Sequence, residues 1–182
     1  MSTGTQPADS PGHSHRIRSI SVIGGFLDGT RLELSEGLNC IIGARGTGKT
    51  TVLEFVRFAF DSLHDRETDP AEYRRVDALV EQNLGGGRVE IEFETKDGLR
   101  YIVSRSVGEE PVVLTADGEA TELTLKSGDV FRADIYSQNE IERIAGQSWS
   151  QLGLIDNFEA TRIGDIGVQL RQVLLEPVQV AE

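Results

Sequence analysis

The apolar positions of this chain follow two different periods. From Ile17 to Phe26 they alternate, with Ile20 and Val22 on one side before a Gly24-Gly25 break, which predicts a strand. Asp28-Gly29 is a hairpin signal, and Leu32 and Leu34 return on one side over Thr30–Leu34. After the turn Ser35-Glu36-Gly37, the run Leu38-Asn39-Cys40-Ile41-Ile42 is apolar at nearly every position, as a strand buried on both faces should be. The period then becomes helical. Val52, Phe55, Val56 and Ala59 share one face of a helix that should reach about Leu63. Asp69-Pro70-Ala71-Glu72 opens a second helix, with Asp at the N-cap and Pro at the first position. Val76, Leu79, Val80 and Leu84 continue it, and Gly85-Gly86-Gly87 stops it in what reads as a flexible connection.

Beyond the glycines the period is two. Val89, Ile91 and Phe93 alternate with Arg88, Glu90, Glu92 and Glu94, predicting a strand with one solvated, mostly acidic face. Turns at Asp97-Gly98 and Asp117-Gly118 separate Tyr101–Val107, Pro111–Thr115 and Glu119–Leu125, and Val130–Tyr136 reads as a further buried strand. The whole is an antiparallel β-meander over about 88–136. Ser137-Gln138-Asn139-Glu140 leads into a short helix over Ile141–Ala145. Phe158, Ile163, Ile166, Leu170, Val173 and Leu174 then recur at helical spacing until Pro177. That last segment, 161–182, fits either a core-packing helix or the start of a coiled-coil arm, since one or two heptads do not separate the two. Residues 1–15, rich in Ser, Thr, Pro and Gly, read as a disordered tail.

Composition narrows the function classes. The chain has 182 residues and a net charge of -12, which argues against a broad basic footprint for nucleic acid. Its one cysteine, Cys40, rules out an internal disulfide framework and, within the strand 38–42, reads as a small core residue. No apolar run approaches the roughly 20 residues of a membrane span, and no apolar h-region opens the chain. A cytoplasmic protein without membrane contact is the expectation.

The chemistry concentrates between the run 38–42 and the helix after it. Gly43-Ala44-Arg45-Gly46-Thr47-Gly48-Lys49-Thr50 has the spacing G-x-x-x-x-G-K-[ST] in a strand–loop–helix context. Glycines let the backbone approach an anion closely, successive N–H groups point into one concavity, and the helix N-terminus adds its positive end. Lys49 should reach the β- and γ-phosphates, and the Thr50 hydroxyl should sit on Mg²⁺. Residues Gly43 to Thr51 are therefore the expected nucleotide site, with ATP and Mg²⁺ as cofactors.

A strand pair before GLNCIIGARGTGKT, the helix TVLEFVRFAF, and an antiparallel meander ending in YSQNEIERIA together resemble the N-terminal half of the ABC-type ATPase heads of the SMC, SbcC, RecN and RecF group, over about residues 17–160. The resemblance implies an α/β P-loop NTPase lobe with an antiparallel β-subdomain, spanning 16–160. It assigns Gln138 to the Q-loop glutamine, which contacts Mg²⁺ and the attacking water, so Lys49 and Gln138 are the catalytic candidates and Thr50 and Gln138 the metal candidates. On the residues alone, the alternative reading of Gln138 is a polar residue capping a strand-to-helix turn. Arg45 stands where the group usually has Asn; it either adds affinity for a triphosphate or is solvated. The group's Leu-Ser-Gly-Gly signature, Walker B Asp-Glu and switch histidine do not occur, and His64 is not at the switch position. In the group these belong to a second lobe. The expectation is thus an ATP-binding lobe that hydrolyses ATP only with that second lobe or within a homodimeric head, meets DNA only through the full complex, and acts in DNA repair, chromosome maintenance or defence against foreign DNA. The alternative is a truncated or split product serving as a nucleotide-dependent interaction module. A P-loop kinase or GTPase is disfavoured by the meander and by the absence of an N-K-x-D motif.

Overall fold

A computed structural model describes residues 15–63, 66–125, 131, 133–158 and 166; the tail and nearly all of the C-terminal segment named above lie outside them. The chain divides into two compact units, Met1–Ile135 and Tyr136–Glu182.

In the first unit, five antiparallel strands form one sheet: β1 (Arg16–Ile23), β2 (Arg31–Glu33), β3 (Arg88–Glu94), β4 (Arg100–Ser106) and β5 (Val112–Thr115). Their spatial order is β2-β1-β3-β4-β5. The first hairpin thus joins the meander directly, with Ile20 opposite Ile91 and Val22 opposite Val89. Two helices share the core: α1 (Lys49–Ala59) and α2 (Pro70–Leu84). The alternation of β3 places Val89, Ile91 and Phe93 inward, against Phe55, Val56 and Ala59 of α1 and Val76, Val80 and Leu84 of α2. Phe131 closes one end, stacked on Phe60 at 4.6 Å and tilted against Phe93 at 4.8 Å.

The outer face of β3 is less acidic in effect than its sequence suggests, because β1 and β4 supply arginines across it. Glu94 accepts from Arg18 at 2.9 Å and from Arg16 at 3.2 Å, and Arg100 lies 3.4 Å away. These opposite-charge neighbours stabilise the register. The hydrogen bond from Arg16 is the first cause that holds the Glu94 carboxyl below its usual range. That contribution is present above the ordinary carboxylate pKa of about 4.3 and is lost as pH falls through the lowered value.

Several expectations are corrected. Leu38–Ile42 is not a buried strand. It pairs with no strand among the described residues, Leu38 and Ile42 are 90% and 92% exposed, and Cys40 is exposed rather than in the core. Its apolar composition suits two flanking neighbours, and none of the five strands takes that place. The described residues of 130–136 form no strand, although Phe131 is buried. Of Glu119–Leu125, a single bridge from Ala120 to Leu114 remains. Helix α1 stops at Ala59, short of Leu63, because Asp61 turns left-handed (φ 53°) and Arg105 draws the helix end to β4. Arg105 donates to the Phe58 carbonyl at 2.6 Å and to Asp61 Oδ1 at 2.9 Å, with its guanidinium 4.4 Å over the Phe58 ring.

The glycine run after α2 ends in a packed contact at Gly87, while Gly85 and Gly86 face open space. Gly24-Gly25 and Gly87 approach backbone to backbone, and the Phe26 amide donates to the Asn83 carbonyl at 2.7 Å. A Cβ on Gly25, at φ 73°, would lie 2.7 Å from Leu84 Cα and closer still to the Asn83 oxygen. Left-handed strain and a backbone clash add. Gly25→Ala should lower the unfolding free energy by about 2–4 kcal/mol, read as a lower urea midpoint; an unchanged midpoint would show that this contact is not held.

The second unit contains α3 (Gln138–Gly146) and α4 (Ser148–Phe158). Ser137 and Glu140 form a reciprocal capping box at the start of α3, so the helix begins three residues before the expected Ile141.

Candidate nucleotide-binding site

The loop 43–48 leads into α1 through two left-handed glycines, Gly46 (φ 83°) and Gly48 (φ 85°). Gly48 is itself the N-cap, and no side chain caps the helix. The first-turn amides of α1 therefore have no side-chain acceptor, which is the condition for an anion site at a helix N-terminus. Leu27 and Phe26, on the β1–β2 turn, form the floor. A Cβ on Gly48 would lie 3.0 Å from Leu27 Cδ2 and 3.6 Å from Phe26 Cε1. The glycine is thus required both for its φ and for its closeness to the turn.

The side chains fit a polyphosphate. Lys49 Nζ donates to the Gly43 carbonyl at 2.7 Å and the Ala44 carbonyl at 2.6 Å, so its ammonium is folded into the loop it would serve. Thr47 Oγ1 donates to the Ala44 carbonyl at 2.9 Å. Arg45 and Thr50 are exposed. The first turn of α1 carries no acidic residue. Gly43, Ala44, Arg45, Gly46, Thr47, Gly48, Lys49, Thr50 and Thr51 thus form one continuous, cation-bearing loop and first helical turn. Gln138 belongs to the second unit, where it occupies the first position of α3, is exposed, and donates from Nε2 to Glu142 Oε1 at 3.0 Å. Ser137, not Gln138, caps that helix.

Sequence reading missed the polar core under the loop. Glu54 and Arg57, on α1, are both buried. Glu54 Oε2 lies 3.1 Å from Arg57 Nε, and its Oε1 accepts from Arg75 of α2 at 3.2 Å. Arg57 also donates to the Ile135 carbonyl at 3.0 Å. Arg75 is bonded in turn to Glu72, the first cause that raises its pKa above the usual arginine value. The only sequence signal was two charges three apart in an otherwise apolar stretch, Val52–Ala59. A cavity of about 350 Å³ beside Gly24 and Gly87 lies at the glycine contact and not at the loop.

This lobe, with its single antiparallel sheet, two covering helices and uncapped glycine loop, is the N-terminal lobe of a P-loop ATPase. The family model described as "AAA domain" matches residues 17–171, and the chain belongs to that family, within the SMC/Rad50-type ABC ATPase heads. It is 31% identical over 145 residues to the DNA double-strand break repair Rad50 ATPase of Archaeoglobus fulgidus, covering 75% of this chain and 15% of that protein. It is 25% identical over 164 residues to the protein of the same name from Thermoplasma acidophilum, covering 79% and 17%. With the Methanopyrus kandleri protein it shares 34% over 76 residues, 42% of this chain and 8% of that one. The chain therefore spans less than a fifth of the length of these relatives. Among the described residues no helix is long and apolar enough to cross a membrane.

Proposed function

We propose that this chain binds Mg-ATP at Gly43–Thr51 and supplies the N-terminal half of an ATPase site that acts in DNA repair or chromosome maintenance. The observation that carries this reading is the uncapped N-terminus of α1 behind two left-handed glycines, with Lys49 already folded into the loop. The backbone amides and Lys49 bind and orient the phosphates, and the Thr50 hydroxyl is the group of this loop that would hold Mg²⁺. That ion would supply charge neutralisation on the transferring phosphate.

Hydrolysis asks for more than a cradle. A water must be oriented and developing charge stabilised from a second side. Gln138 can hold a water but cannot take its proton. An acidic partner must come from a second lobe, in the same or another polypeptide, or from a second head. Duplex DNA is assigned to that complete assembly, because the arginines of the sheet's outer face are engaged by glutamates. A nucleotide-dependent interaction module without catalysis is the competing reading, favoured by the exposed run Leu38–Ile42.

Mg-ATP at one hundred times its Kd should stabilise the fold by about 2.7 kcal/mol, read as a rise in melting temperature. Lys49→Ala should remove most of that rise. Equal shifts in the two proteins would overturn nucleotide binding at this loop.

A further inference from the structure

Of the two cations in the loop, one is engaged and one is not. Lys49 spends its ammonium on the Gly43 and Ala44 carbonyls. Arg45, in the turn between Gly43 and Gly46, is exposed and makes no hydrogen bond or ion pair to any other described residue. A phosphate that draws Lys49 out must replace two carbonyl acceptors, whereas Arg45 loses only water. The surroundings leave an anion as its natural partner. The loop has no carboxylate, the first turn of α1 has none, and Glu36, the nearest acidic residue before it in the chain, is bonded to Arg16. In a chain of net charge -12, which repels anions at long range, two cations four residues apart on an acid-free loop form a local basic point.

We propose that Arg45 is a specificity-determining residue of this site, reading the terminal phosphate of a nucleoside triphosphate. This rests on the reading of Gly43–Thr51 as a nucleotide site. The backbone amides of such a loop cradle the inner phosphates, and the lysine reaches the outer pair. A long guanidinium at the crown of the loop adds planar, bidentate bonds to phosphate oxygens that a point charge does not make. Its contribution therefore grows with the number of phosphates and is greatest for the one farthest from the nucleoside. Arginine at this position makes the loop discriminate tri- from diphosphate before any other part of the enzyme is engaged.

The test is a titration of the full chain with Mg-ATP and Mg-ADP, comparing wild type, Arg45→Ala, Arg45→Lys and Lys49→Ala. Arg45 is exposed, so folding should be unaffected, and melting temperatures without nucleotide check this. Arg45→Ala should weaken Mg-ATP about tenfold and Mg-ADP less than twofold, and Arg45→Lys should recover only part of the loss. Equal losses for the two nucleotides, or none, would overturn the proposal while leaving the nucleotide site intact. A loss that appears only as protein concentration rises would also overturn it, since Arg45 would then act across to another copy. If wild type binds neither nucleotide, or Lys49→Ala binds both as well as wild type, the site reading itself fails and this proposal falls with it.

Discussion

Replacing Arg57 by methionine should lower the unfolding free energy by about 3–5 kcal/mol, because it strands the Glu54 carboxylate in the core. Glu54 is fully buried and Arg57 nearly so. Arg75 remains within 3.2 Å of Glu54, but it is shared with Glu72 and partly solvated, so it offsets only part of the loss. The double variant Glu54→Leu/Arg57→Met removes both charges and should recover much of the stability, since buried ion pairs are often no better than apolar pairs of the same volume. It should not recover all of it. The partly buried Ile135 carbonyl loses its donor, which costs up to about 1 kcal/mol. Urea unfolding of wild type, Glu54→Leu, Arg57→Met and the double variant measures these terms directly. If the double variant is as unstable as the two single losses added together, the pair is not coupled and this account of the α1 core is wrong.

The second large effect concerns the run Leu38–Ile42. Leu38 and Ile42 are almost wholly exposed, Ile41 about half, and the run has no strand partner among the described residues. Burying an aliphatic side chain of this size is worth about 1.5–3 kcal/mol, and unpaired strand backbone is a template for another chain. The chain by itself should therefore self-associate. Leu38→Ser/Ile42→Ser should make it monomeric in size-exclusion chromatography and also prevent its combination with a second lobe. A wild-type chain that stays monomeric at high concentration would show that the run is not a docking edge.

Much of the sheet was legible because its signals are local. β3 shows period-two alternation over seven residues and Asp69-Pro70 starts α2; each needs only its own neighbours in sequence. The glycine loop and the helix after it were legible for the same reason, since Gly46, Gly48 and Lys49 lie within one turn. What failed depended on distant partners. Leu38–Ile42 has the composition of a two-sided core strand, yet composition does not say whether the flanking strands are present. Gly87 looked loose because its contact, Gly24, lies some sixty residues earlier in the chain. The Glu54–Arg57–Arg75 cluster was invisible because charges on helices are usually solvated. Two of these three residues are buried only when α1, α2 and the Ile135 segment meet.

The central claim is that this lobe holds ATP but completes its chemistry only with a second one. Phosphate release by the chain at saturating Mg-ATP, alone and with a polypeptide carrying the second lobe, tests it most directly. Removing one oriented stabilising group typically costs 10²–10³-fold in rate, so the chain alone should release phosphate at close to the uncatalysed rate. Addition of the second lobe should raise turnover by at least about a hundredfold, and Gln138→Ala should remove most of that gain. A stable monomer that turns over ATP by itself, with activity lost in Gln138→Ala, would contradict the account and show this lobe to be a complete enzyme.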